Sequence, residues 1–238
     1  ALDHPLRPSK GIIYRDQDPQ AIDYRIAEES MQEQWYPETL AESSKPYIFR
    51  DVRGTNVYVN PFRYNAQENL LRVYKNIQVR VHVDPSETVN ALTRPAKKYL
   101  PVMHAIYDSV FLNYTAERVP DIGEAGDILL ICTTRDVDAV APFAQWKREK
   151  GFNVHMRVVD PGTNVKRIIG EEYKRHPNIL YVQLIGDWDD IRSDLGTKQN
   201  APMDPMLGCV KGDDDYPDLI VGRFSANSAE QVAVQILK

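Results

Sequence analysis

Two cysteines in 238 residues leave little scope for covalent cross-linking, and neither is placed like a nucleophile. Cys132 lies beside the apolar run Ile128 to Ile131 and Cys209 within Leu207 to Val210, surroundings that keep a thiol buried and inert. The histidines are also sparse: His4, His82, His104, His155 and His176 show no metal-ligand spacing such as His-Glu-x-x-His. No apolar run approaches the roughly 18 residues of a membrane span, so no span is expected. The amino terminus lacks the charged and apolar regions of a signal peptide, and Ala1 reads as the start of a fragment or of an already trimmed chain. Positive charge is not in excess either. A net charge of -5 with scattered basic residues gives no footprint for nucleic acid. Asn113, Tyr114 and Thr115 spell a glycosylation sequon, which has a consequence only in a eukaryotic secretory pathway.

What the chain does have is concentrated between Leu180 and Ser225. The apolar run Leu180 to Ile185 stops at Gly186 and Asp187, as a buried strand stops at the rim of a parallel sheet, where α/β proteins place their sites. Further on, Lys211 to Asp218 gathers the carboxylates of Asp213, Asp214, Asp215 and Asp218 directly before a second apolar strand, Leu219 to Val221. Asp, Gly and Pro are ordinary turn formers, so one reading is a solvated turn. The other is a hard cation: Ca²⁺ takes about six to eight oxygens, and Asp214, Asp218 and the Tyr216 carbonyl could supply several. The order of residues is not that of an EF-hand.

Two domains are expected. Up to about Val83 the pattern is β: Ile77, Val79, Val81 and Val83 alternate with polar residues, a half-buried strand. Asn65 to Asn69 reads as a turn between Phe62 to Tyr64 and Leu70, and Tyr47 to Arg50 pairs with Val57 to Val59 around a turn at Arg53 and Gly54. These hairpins predict an antiparallel, sandwich-like domain. Prolines at 85, 95 and 101 exclude a long regular element before a short helix with Ile106, Val110 and Phe111 on one face. A linker from Glu117 to Asp127 follows. Beyond it, strands at 128–132, 154–159 and 180–185 alternate with helices near 138–150 and 164–175, the order of a parallel sheet with right-handed crossovers. Ser228 caps a last helix whose apolar face stops at Lys238, so the α/β subdomain is read as incomplete.

The chain resembles the gingipain family of secreted cysteine proteases. Pro8 to Gly11 ahead of Arg15, Arg50 to Gly54, Tyr64 and Asn65, Leu71 to Tyr74, and Ser109 to Phe111 with Asn113 and Tyr114 resemble the second half of its propeptide. Trp146, Lys147, Gly151, Tyr181, Val182, Gly186, Asp187 and Gly222 to Ser225 resemble the first third of its catalytic domain. The resemblance implies an inhibitory propeptide over 1–118 and the start of a caspase-like peptidase domain over 119–238. It further implies a Cys and His dyad cleaving after basic residues, Arg by preference. Both dyad residues lie downstream of the Gly-Arg-Phe-Ser strand in the family, so no residue here is catalytic. The resemblance also implies Ca²⁺ held by Asp187 and, in the acidic loop, by the carbonyls of Lys211 and Tyr216 and the side chains of Asp214 and Asp218. The family more often has a longer acid where Asp218 stands.

Arg118 and Val119 stand where the family's propeptide meets its mature enzyme, and Arg15 stands where arginine-cleaving gingipains carry a blocking, substrate-like Arg. The implied partners are the downstream remainder of the peptidase domain and protein substrates, and the implied location is outside the cell or on its surface. The alternative from another class is a non-catalytic, calcium-stabilised binding or adhesion module on the same scaffold. A His-Gly motif and a strand-end Cys after Lys238 would decide for the enzyme.

Overall fold

The computed structural model describes residues 1–25, 35–93, 95–96, 98–115, 125–197 and 200–237. Six short strands come first: β1 (Ala41–Ser43), β2 (Tyr47–Phe49), β3 (Val52–Gly54), β4 (Val57–Val59), β5 (Phe62–Asn65) and β6 (Leu70–Val73). Helix α1 (Pro101–Val110) follows. Then come β7 (Asp127–Cys132), α2 (Val137–Glu149), β8 (Asn153–Val158), β9 (Thr163–Asn164), α3 (Lys166–Arg175), β10 (Ile179–Ile185), β11 (Ile191–Arg192), β12 (Ile220–Phe224) and α4 (Ala229–Ile236). The chain forms two compact units, Ala1–Lys45 with Thr55–Glu87, and Pro46–Gly54 with Thr88–Lys238. The expected boundary between 118 and 119 lies outside the described residues. The segment Pro46–Gly54 belongs with the α/β part, far from it in sequence.

In the first unit the strands pair antiparallel, two by two: β1 with β4 and β5 with β6. The turn between β5 and β6 is the expected one, because the Asn65 side-chain oxygen accepts the N–H groups of Gln67 and Glu68, both at 3.0 Å. The alternating stretch Ile77 to Val83 is not a strand. Val81 and Val83 are 61% and 83% exposed, and no described strand lies alongside to take the ladder bonds or cover the apolar face. Alternation alone does not make a strand when neither face is buried.

The second unit begins with a hairpin whose register differs from the expected one. β2 pairs with β3, Phe49 opposite Val52, and the turn falls at Arg50 and Asp51, not at Arg53 and Gly54. Arg50 takes φ 52°, the left-handed conformation that a tight two-residue connection requires. Gly54 is needed for a different reason: a Cβ there would meet the Phe111 ring at 2.6 Å and the Tyr47 ring at 2.9 Å. In α1, Pro101 begins the helix, where its missing N–H is no loss. The buried face carries Met103 and Tyr107, whereas the expected Val110 is 54% exposed.

The α/β part is built on one parallel sheet in the order β12, β10, β7, β8. Strand β7 is buried on both faces, and its alternation divides the core into two layers. Leu129 and Ile131 pack with Val165, Ile169, Tyr173 and Leu184. Ile128, Leu130 and Cys132 pack on the other side with Val140, Phe143, Ala144 and Val232. Helix α2 therefore covers one face and α3 the opposite face, and the order reverses between β7 and β10. Such a reversal opens a crevice at the carboxyl ends of the strands.

Candidate functional site

The carboxyl ends of β7 and β10 are flanked by charge. Asp136, fully buried after β7, accepts two bonds from the Arg135 guanidinium at 3.0 and 2.9 Å and one from the Thr133 hydroxyl at 3.2 Å. Arg135 also reaches Asp190, at 2.7 Å. Asp187 follows the end of β10, as the apolar run predicts; its Oδ1 accepts the Trp188 N–H at 2.9 Å and the Ser225 hydroxyl at 3.4 Å. The Arg223 guanidinium, on β12, forks onto Asp204 at 2.7 and 2.8 Å and donates to the Gly186 carbonyl at 3.0 Å. This pair ties the loop after β11 to the rim.

The Arg223 bond holds the Asp204 carboxyl below its ordinary value of 3.8, against partial desolvation and with help from the Ser193 hydroxyl. A carboxyl depressed in the folded state contributes stability above its unfolded value and loses it as the pH falls toward the folded one. The unfolding midpoint of the parent protein is therefore expected to fall more steeply over the interval below about pH 4 than that of Asp204→Asn. Equal slopes over that interval would mean that the pair does not couple to folding.

The acidic loop lies elsewhere. Strands β10 and β12 are parallel; Asp187 follows their carboxyl ends and Asp218 precedes the amino end of β12, with the 5 residues of β12 between the two levels. At about 3.3 Å per residue, β12 alone sets them at least roughly 16 Å apart along the strand. Asp187 and the loop are thus separate places, and one cation cannot bridge them.

Within the loop, the carboxylates answer N–H groups. Asp218, 2% exposed, accepts the backbone N–H of Val210 at 2.9 Å and Lys211 at 2.7 Å on Oδ2, and that of Arg50 at 2.7 Å on Oδ1. Burial pushes its carboxyl up, and these three N–H bonds pull it back. Asp214 accepts the Ile48 N–H at 2.9 Å and the Asn90 amide at 3.1 Å on Oδ2, and the Tyr216 N–H at 3.0 Å on Oδ1. Gly212, at φ 75°, lies so close that a Cβ would strike Asp214 Oδ2. The hairpin therefore supplies backbone donors to both acids.

Its turn residue supplies more. Arg50 is 3% exposed, and its guanidinium donates to the carbonyls of Ile179 at 2.9 Å, Asp218 at 3.1 Å and Pro177 at 3.0 Å, beside the Tyr173 ring. Lys211 Nζ donates to the Arg50 carbonyl at 2.8 Å. Asp51, next in the turn, accepts the Tyr107 hydroxyl at 3.0 Å, and Tyr47 stacks on Tyr216 at 3.7 Å. Sequence reasoning missed Arg50 as a functional residue; the only signal was its place in the quoted Arg-Asp-Val-Arg-Gly match. Among the described residues no group of three or more His, Cys, Asp or Glu is arranged to hold a metal. As arranged, the loop's Asp214 and Asp218 side-chain oxygens are engaged by N–H donors.

The remaining expected sites are simple. Arg15 is exposed at the crest of a turn closed by Gln17 N–H to the Tyr14 carbonyl at 3.1 Å and Tyr14 N–H to the Gln17 side chain at 3.0 Å. Arg118 and Val119 lie outside the described residues. Cys132 is fully buried and its thiol is pushed up to about 11 by desolvation, then by Asp136, as an inert thiol should be.

Comparison with known proteins places this geometry. The family model Propeptide_C25 matches residues 2–119 and the model for Peptidase family C25 matches residues 122–238. Gingipain R2 of Porphyromonas gingivalis is 30% identical over 240 residues, covering 97% of this chain and 32% of its own length. Lys-gingipain of the same organism is 23% identical, covering 95% of this chain and 14% of its own length. The solved complex of the Porphyromonas gingivalis RgpB pro- and mature domains matches 47% of this chain and 27% of that chain, at 26% identity and a TM-score of 0.42. The chain thus spans about a third of the length of gingipain R2. With one family model ending at 119 and the next beginning at 122, the chain belongs to the gingipain family and carries its propeptide followed by the start of its C25 peptidase domain.

Proposed function

We propose that this chain is the precursor segment of a cysteine endopeptidase that cleaves protein substrates after basic residues, Arg by preference, outside the cell or at its surface. The observation that carries the reading is the junction itself. The propeptide match stops at 119 and the peptidase match starts at 122, which supports a junction here; Arg118 and Val119 are the last two residues of the propeptide match. The catalytic thiol and imidazole come from the remainder of the peptidase domain. β12 is the edge of the described sheet, with Ile220 46% and Val234 53% exposed, an apolar margin suited to that remainder. Two further points belong to the same reading: Arg15 is the substrate-like blocking residue, and Ca²⁺ binds at Asp187 and, once the loop is released, at Asp214 and Asp218 with the carbonyls of Lys211 and Tyr216. Nothing observed favours the non-catalytic module.

Cleavage after Arg118 is the test. Mass spectrometry of the full-length secreted protein is expected to give a mature amino terminus at Val119, and Arg118→Ala to leave the precursor uncut. A mature terminus elsewhere, with the bond after Arg118 intact, would reject the assignment.

A further inference from the structure

We propose that Ile12 and Ile13 are a second recognition element of the blocking loop, so that the peptidase favours substrates with branched aliphatic side chains two and three positions before the scissile Arg. The proposal rests on the reading of Arg15 as the substrate-like residue, and adds what an Arg alone leaves unspecified.

Exposure gives the first argument. Ile12 is 73% and Ile13 37% exposed, and neither belongs to an apolar cluster of the described residues. Two adjacent aliphatic side chains left in water contribute nothing to the fold where they stand, and next to a presented Arg they form a surface to be covered. The flanks are different in kind. Ser9, Lys10 and Gly11 precede the pair, and Asp16, Gln17 and Asp18 follow Arg15. Apolar character is thus confined to the amino side of Arg15, the side on which an endopeptidase grips the acyl part of its substrate.

The backbone gives the second. Among the described residues no hydrogen bond engages the N–H or the carbonyl of Ile12 or Ile13. Both ends of the pair are nevertheless fixed. Gly11 takes φ 81°, a conformation that favours glycine, and its N–H donates to the Ser9 hydroxyl at 3.1 Å, while the Tyr14 N–H is held by Gln17 in the turn. An extended peptide binds by adding a strand to an exposed edge, its main-chain groups giving affinity and pockets for alternate side chains giving specificity. Ile12 and Ile13 have those main-chain groups to offer. Branching at Cβ also stiffens both side chains and favours extended backbone, which reduces the freedom lost on binding. Alternation along such a strand sends Ile13 to the side of Arg15 and Ile12 to the side of Tyr14, so each meets a pocket of its own.

The experiment uses the mature peptidase released from the full-length precursor, with the chromogenic peptides Ile-Ile-Tyr-Arg, Ile-Ser-Tyr-Arg, Ser-Ile-Tyr-Arg and Ser-Ser-Tyr-Arg. Each Ile replaced is expected to lower kcat/KM about tenfold, the effect of taking one aliphatic side chain out of an apolar pocket. In the full-length precursor kept uncut by Arg118→Ala, Ile12→Ser with Ile13→Ser should raise the residual activity on the first peptide about tenfold while Arg15 is intact. Ile12→Val with Ile13→Val should keep the latency of the parent. Both positions are exposed, so serine there disturbs no packing. Equal kcat/KM for all the peptides, or unchanged latency in the serine variant, overturns the proposal and leaves the reading of Arg15 standing. Cleavage of none of these peptides by an enzyme that cuts after another residue overturns the reading of Arg15, and the proposal with it.

Discussion

Arg50→Ala is expected to destabilise the unit containing the hairpin by about 3–5 kcal/mol, the cost typical of removing one partner from a buried, hydrogen-bonded charge. The substitution leaves the carbonyls of Pro177, Ile179 and Asp218 without the donor that answers them and deprives Asp51 of a guanidinium 3.5 Å away. It leaves the backbone N–H of residue 50 in place, so the bond to Asp218 Oδ1 can persist and the loss is that of the side chain. An Arg50→Lys variant should be intermediate, because a single ammonium cannot reach three carbonyls in different directions as a planar fork does. Equilibrium denaturation of the three proteins is the measurement. A loss below about 1 kcal/mol for Ala, the range of an exposed ion pair, would show that the guanidinium is solvated and not an anchor.

The second large effect concerns Arg15. In the propeptide offered in trans to the mature peptidase, Arg15→Ala is expected to weaken inhibition roughly tenfold or more, the loss of one desolvated charge-assisted pair. The turn from Tyr14 to Gln17 holds the side chain outward, and Lys10 Nζ bound to the Pro19 carbonyl at 2.7 Å stitches the flanks of that turn together. A presented, pre-shaped loop loses less freedom on binding than a free peptide does. Arg15→Lys then reports on the enzyme: a fork-shaped recognition of Arg would lose most of its affinity for Lys as well. Inhibition by the Ala variant as tight as by the parent would remove Arg15 from the role and, with it, the main support for an arginine preference.

The α/β part was legible in the sequence because its signals are local and mutually consistent. Runs such as 128–132 and 180–185 are too apolar to be anything but doubly buried strands, and Ser228, accepting the Gln231 N–H, does cap the last helix. The antiparallel part was legible in kind but not in register. A non-glycine residue at positive φ announces nothing in sequence, so Arg50 read as the last residue of a strand when it is the turn itself. Ile77 to Val83 failed for the opposite reason, a correct period with nothing to pair with. For the acidic loop, composition left a solvated turn or a cation as the choices. The third answer, that carboxylates can be held by the backbone of a segment more than 160 residues upstream, required the fold. Asp187 at the rim, by contrast, was readable because a strand must end somewhere and it ends at a Gly-Asp pair.

That separation also sets a clock. Ile48 meets Asp214 across 166 residues and Arg50 meets Asp218 across 168. At about 5–20 residues per second of synthesis, roughly ten to thirty seconds pass between the appearance of the hairpin and that of its receptor. During that interval Tyr47 has no Tyr216 to stack on and Arg50 has no carbonyls to answer it, so the hairpin exists only as a marginal two-stranded ribbon. Contacts this distant in sequence form slowly and late, after the sheet that carries the loop. Closure of the hairpin onto the acidic loop, both in the second unit, therefore doubles as a report that strands β7, β10 and β12 are already in place: a chain that had not finished folding would offer the hairpin nowhere to close.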